Sequence, residues 1–116
     1  EPDPVQIAVA QALGAAVVEL HTGRYVELVF AGREEDAMAE LRRLQAAAAD
    51  GRARGLEIHA GHGLTFDTVK PIAAIGEVIE LNIGHFLIGE AIFSGLRPPV
   101  ERMRELIVEA RREAAA

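Results

Sequence analysis

A chain of 116 residues that is 50% hydrophobic and 26% charged, with a net charge of -6, has the size and apolar content of one domain with its own core. It contains no cysteine, which excludes disulfides and thiolate metal sites. Lys70 is the sole lysine and basic residues do not cluster, while four Phe, one Tyr and no Trp leave few stacking platforms, so neither duplex nor single-stranded nucleic acid is an expected partner. No run reaches the roughly 18 to 20 apolar residues that a membrane span needs. Glu1-Pro2-Asp3-Pro4 lacks the basic-then-apolar order of a secretory leader, and a cytoplasmic protein with no membrane partner is expected.

In chain order, Val5, Val9, Ala12 and Leu13 fall at helical spacing behind Asp3, a residue suited to cap a helix, and Gly14 follows as a stop. Ala15 to His21 is valine-rich and closed by Thr22-Gly23, which predicts a strand. Arg33 to Arg54 is alanine-rich and charged, with Met38, Leu41 and Leu44 on one side, and predicts a long amphipathic helix ended by Gly55. A second strand is expected over Leu56 to Ala60. It runs straight into Gly61-His62-Gly63. Asp67 to Ile75 suits a helix capped by Asp67 that holds Pro71 in its first turn. Val78 to Ile83 predicts a third strand, Phe86 to Phe93 a short helix behind Gly84-His85, and the residues after Pro98-Pro99 a final helix through Met103, Leu106, Ile107 and Ala110.

Strands alternating with helices imply βα units and a parallel sheet. Period-two alternation separates Val18 and Leu20 from Glu19 and His21, and Leu56 and Ile58 from Glu57 and His59. In the third strand it groups Ile79, Leu81 and Ile83 against Val78, Glu80 and Asn82. Strands of an open doubly wound sheet are apolar on both faces, whereas barrel strands aim polar groups inward, so the polar faces favour a barrel. Three strands are too few to close one that typically takes about 250 residues. The expectation is therefore a single α/β unit over residues 1–116, the C-terminal part of a (β/α)8 TIM barrel whose N-terminal half lies outside this sequence.

In such a barrel the loops after the strands carry the chemistry, and the last strands build a phosphate site on the N-terminus of a short helix. Gly61-His62-Gly63 follows a strand directly, so backbone N–H groups can approach an oxyanion with His62 over the barrel mouth; the bland alternative is a turn histidine. Gly84-His85 follows the next strand and starts a helix whose N–H groups suit phosphate. Glu19, His21, Glu57, His59 and Glu80 either serve the site or satisfy one another inside the barrel. His59 and His62 offer two metal ligands whose spacing fixes no common direction, and a third ligand would have to come from elsewhere. Ser94, the only serine, has no nucleophile elbow around it.

Three segments carry a resemblance. Glu19-Leu20-His21-Thr22-Gly23-Arg24-Tyr25, His59-Ala60-Gly61-His62-Gly63-Leu64-Thr65 and Glu80-Leu81-Asn82-Ile83-Gly84-His85-Phe86-Leu87-Ile88-Gly89 resemble, in order and spacing, the C-terminal half of the pyridoxine 5'-phosphate synthase family. The resemblance implies a (β/α)8 barrel, usually a homo-octamer, that condenses 1-deoxy-D-xylulose 5-phosphate with 3-amino-2-oxopropyl phosphate to pyridoxine 5'-phosphate in vitamin B6 biosynthesis. It implies no metal and no organic cofactor. By motif, His62 corresponds to the family's proton donor, Glu19 to a transition-state-stabilising carboxylate, Gly63 to a substrate-binding backbone position, and Gly84 with His85 to the phosphate-binding pair. The family's other acid/base and sugar-phosphate-binding residues lie in the half not represented here, so residues 1–116 alone are expected to be inactive. Val26 to Phe30 is more apolar than the family's usual polar stretch after the His-Thr-Gly-x-Tyr motif, which implies an altered or differently packed loop. The competing readings are a non-catalytic βα-repeat module that binds another chain through an open sheet edge, and another phosphate-binding barrel enzyme.

Overall fold

Asp3 accepts a hydrogen bond from the Val5 N–H through its carboxylate at 2.9 Å and so caps the first helix, α1 (Pro4–Ala12). The structure is a computed structural model that describes residues 1–116. Strand β1 (Val17–His21) leads into α2 (Gly23–Phe30) and α3 (Glu34–Ala53), and β2 (Glu57–Gly61) into α4 (Val69–Ala73). Then β3 (Val78–Asn82) is followed by α5 (His85–Ser94) and α6 (Arg97–Ala115). No helix is long and apolar enough to cross a membrane.

The strands form one parallel sheet in the order β1-β2-β3, so the α/β reading with helices between parallel strands holds. The sheet is open, with one free edge on β1 and one on β3. Leu20, Ile58, Ala60 and Val78 are buried on one face against Leu41, Leu44, Ala47 and Ala48 of α3, with Ile7 of α1 and Leu28 of α2 in the same cluster. Each large aliphatic side chain so buried contributes about 1.5–3 kcal/mol. On the opposite face Glu19, Glu57, Glu80 and Asn82 are exposed around a half-buried His59. A parallel sheet ordinarily has both faces covered; here one face is apolar and packed and the other polar and open.

Two expectations are corrected. The Val26–Phe30 segment, read as part of a loop, lies in α2, where Tyr25, Val26 and Leu28 are buried and Arg24 and Glu27 face solvent. The stripe has helical period and Thr22 is a residue type that caps helices, but the helix starts at a glycine and the Thr22 hydroxyl goes to the Gly61 and His62 carbonyls instead of making a capping bond. The face assignment of β3 also changes at its first two residues. Ile58 pairs with Val78 but His59 with Glu80, so Ile79 is an extra residue, a bulge. Val78 therefore turns into the core at 1% exposure, and Ile79, grouped from period two with Leu81 and Ile83, points out at 60%. Smaller shifts affect the boundaries: α4 starts at Val69 behind Thr68 rather than at Asp67.

A second cluster seats the end of the sheet that matters for the site. Val69 of α4 packs with Met103 and Leu106 of α6, and Phe66, Phe86 and Leu87 lie against them. The Phe66 and Phe86 rings meet edge to face at 4.7 Å, which fixes the start of α5 against the loop after β2. The Arg111 guanidinium donates to the Val78 and Gly76 carbonyls and ties α6 to the start of β3.

Candidate functional site

The C-terminal ends of the strands open into one cleft of about 650 Å³, lined by Glu19 from β1, His62, Gly63, Leu64 and Thr65 from the loop after β2, Asn82 from β3, and Ile83 to Phe86 at the start of α5. The five residues that the resemblance assigns roles, Glu19, His62, Gly63, Gly84 and His85, lie on its wall, whereas the other candidates His21, Glu57, His59 and Glu80 do not. Residues as distant in sequence as Glu19 and His85 meet here because β1, β2 and β3 run parallel and end at the same level.

Glu19 is held by a neighbour on β3. Its Oε2 accepts a hydrogen bond from Asn82 Nδ2 at 2.9 Å, which fixes the carboxylate across the end of the sheet. The pair closes over Gly61, where a β-carbon would sit 2.7 Å from the Asn82 carbonyl oxygen and 2.9 Å from Glu19 Oε1. Glycine is thus a steric requirement at the last residue of β2. Asn82 was legible only as one polar residue among several; its partner could be named only once the register brought Gly61 opposite Asn82 and His21.

His62 stands on strained backbone. It is the one non-glycine residue with positive φ, 91°, a conformation that costs of order 1–3 kcal/mol and persists where its surroundings enforce it. Its ring stacks on that of His21 with centroids 4.2 Å apart and planes inclined by 26°. Thr22, fully buried, lies beneath the same turn, its hydroxyl 2.8 Å from the Gly61 carbonyl oxygen and 2.7 Å from that of His62. In the sequence Thr22 shows only as the hydroxyl residue that closes a strand before a glycine.

At the other wall, Gly84 is the N-cap of α5 and offers no side-chain cap, and the first helical bond runs from the Ile88 N–H to the Gly84 carbonyl. The N–H groups of the first turn therefore have no acceptor within the helix, and they carry the positive end of its dipole. A β-carbon at Gly84 would meet no atom within 4 Å. Gly63, with φ 77°, lies across the cleft on the same wall as His62.

His59 is not part of this cleft. Its Nε2 is 2.7 Å from Glu57 Oε1 and its Nδ1 2.6 Å from Glu80 Oε2, so carboxylates on the polar face of the sheet satisfy it, beside Glu19 with which it pairs in register. No group of three or more His, Asp or Glu side chains is arranged to hold a metal ion.

Against known proteins, residues 1–109 match the family described as "Pyridoxal phosphate biosynthesis protein PdxJ". The chain is 57% identical over 113 residues to a "Pyridoxine 5'-phosphate synthase" of Caulobacter vibrioides, an alignment covering 97% of this chain and 44% of that protein. It is 56% identical over 114 residues to the protein of the same name from Cereibacter sphaeroides (98% and 45% covered). For the one from Zymomonas mobilis the identity is 54% over 113 residues (97% and 43% covered). The chain thus spans less than half the length of these curated relatives.

Proposed function

The chain belongs to the PdxJ family of pyridoxal phosphate biosynthesis, and from that membership we propose that it forms the phosphate-binding and proton-donating side of a pyridoxine 5'-phosphate synthase. The reaction is the condensation of 1-deoxy-D-xylulose 5-phosphate with 3-amino-2-oxopropyl phosphate to pyridoxine 5'-phosphate, with loss of phosphate and water. The observation that carries the reading is the single cleft in which Glu19 and His62 face Gly63, Gly84 and His85 at the C-terminal end of a parallel sheet.

Residues 1–116 are read as one segment of a (β/α)8 barrel. The open polar face supports this, because Glu19, Glu57, His59, Glu80 and Asn82 then line a barrel interior instead of facing solvent. In that setting the first turn of α5, with Gly84 and His85, binds the phosphate of one substrate, and the Gly63 backbone approaches it from the other wall. His62 donates protons to departing oxygens. Imidazole is suited to this because it exchanges protons near neutrality. Glu19, oriented by Asn82, places a fixed negative charge where cationic nitrogen develops when the amine joins the ketone. No metal or organic cofactor enters this scheme. The assembly is proposed to be a cytoplasmic homo-octamer.

The test is product formation from the two phosphorylated substrates by the protein at the length its gene encodes, followed by chromatography of pyridoxine 5'-phosphate. Turnover is expected, with His62→Ala lowering kcat by about 10²- to 10⁴-fold. Absence of product from the unaltered protein, or full activity in His62→Ala, overturns the reading.

A further inference from the structure

The tripeptide His21-Thr22-Gly23 joins β1 to α2, and each of its residues touches His62 or the peptides that flank it. Thr22 holds the backbone. Its N–H donates to the Gly61 carbonyl at 2.8 Å, and its hydroxyl lies within hydrogen-bond reach of both the Gly61 and His62 carbonyls, at 2.8 and 2.7 Å. One hydroxyl proton shared between two carbonyls grips the peptide units on both sides of the His62 Cα, which is where the left-handed φ of 91° has to be enforced. Thr22 has no solvent exposure, so water cannot compete for these bonds.

His21 and Gly23 hold the ring. The Gly23 N–H, at the start of α2, donates to His21 Nδ1 at 3.2 Å, which orients the imidazole and leaves its proton on Nε2. The His21 ring then stacks on His62 at 4.2 Å. Both rings overhang Gly23 so closely that a β-carbon there would lie 2.5 Å from His21 Cε1 and 3.0 Å from His62 Cδ2. Space for the stacked pair exists only because residue 23 has no side chain. A histidine on an exposed loop otherwise samples several ring orientations, and a proton donor that is misaligned by about an ångström can lose on the order of 100-fold in rate.

We propose that His21 is a positioning residue for His62: stacked above Gly23 and oriented by its N–H, it sets the plane in which the His62 imidazole enters the cleft shared with Glu19, Gly84 and His85. The inference rests on the proposed role of His62 as proton donor. His21 itself lines no part of the cleft and transfers no proton.

Three variants of the protein at its encoded length test this, read by steady-state kinetics and by histidine-selective ¹⁵N and ¹H NMR. His21→Ala and Gly23→Ala are expected to lower kcat by about 10- to 100-fold with KM for either substrate changed less than about twofold. His21→Phe keeps a flat ring in the stack without the Nδ1 acceptor, and is expected to recover part of the loss. In the spectra, unaltered protein shows His21 as the Nε2–H tautomer and a ring-current shift on the His62 ring protons, retained in His21→Phe and absent from His21→Ala. Should Gly23→Ala fail to fold, the two His21 variants decide. Unchanged kcat in His21→Ala, a Phe variant no better than the Ala variant, or absence of the His62 ring-current shift overturns the inference. If the unaltered protein makes no product while the spectra show the stack, the synthase reading falls and the role of His21 in the reaction falls with it. If product forms and depends on His62 but not on His21, only the positioning role falls.

Discussion

Replacing Gly84 by valine separates phosphate binding from folding. The residue has φ -125° and ψ -61°, and a β-carbon there touches nothing within 4 Å, so the added β-carbon meets no clash and the backbone is not in the left-handed region. Its folding cost is that of a poorer N-cap, about 1 kcal/mol or less from glycine to an aliphatic residue. The contacts of Phe86 and Leu87 with Phe66, Val69, Met103 and Leu106 hold the first turn of α5 in place independently of the cap. Against a domain stability of about 5–15 kcal/mol this lowers Tm by a few degrees at most. The binding cost is larger in proportion. The isopropyl group occupies the space toward which the first-turn N–H groups point, and an anion at a partly buried helix N-terminus is stabilised by up to about 2 kcal/mol. Losing that contact raises Kd by up to roughly 30-fold, at about 1.4 kcal/mol per decade. Calorimetric titration of the protein at its encoded length with 3-amino-2-oxopropyl phosphate or a stable analogue reads Kd, and a thermal scan reads Tm. Gly84→Ala should give a smaller rise in Kd, whereas His62→Ala should leave Kd nearly unchanged. An unaltered Kd in Gly84→Val, or a fall in Tm large enough to account for lost binding, refutes the placement of a phosphate on α5.

Two further outcomes are expected. Burial raises the Tyr25 phenol above its ordinary value, and Lys70 is raised chiefly by its hydrogen bond to Glu113. Both folded forms hold their protons more tightly than the unfolded chain, so the stability they contribute is complete below about pH 10 and falls as pH rises through the folded values. Denaturant midpoints measured from pH 8 to 11 should decline at the alkaline end, and Tyr25→Phe should make that decline shallower; an identical alkaline limb in the variant counts against the assignment. Residues 1–116 expressed alone should self-associate, since Ile92 is 79% and Phe93 89% exposed on α5 and both sheet edges are free. Light scattering that shows a monodisperse monomer across a wide concentration range contradicts this.

Period and punctuation made the strands, most helices and the glycine-flanked site residues legible from the amino-acid order. Val18 and Leu20 against Glu19 and His21, or Ile58 against His59, alternate within a few residues, and such alternation decides facing wherever a strand stays regular. Asp3 before α1 and Gly55 after α3 are local chemistry and read correctly. The glycine-flanked His62 and the Gly84-His85 pair stood out because small residues after a strand leave backbone N–H groups accessible. Where the determinant was another strand or helix, the residues were silent. The bulge that buries Val78 and turns Ile79 outward is a matter of register with β2. Helix α2 draws its stability from burying Tyr25, Val26 and Leu28 against the core, while its N-cap Thr22 makes no capping bond. Asn82 becomes the partner of Glu19 only across 63 residues, and the His21 ring finds His62 only because Thr22 pins the turn after β2 over the start of α2. Local sequence sets which groups a segment can offer, and tertiary packing, by fixing register and distance, decides which of them meet.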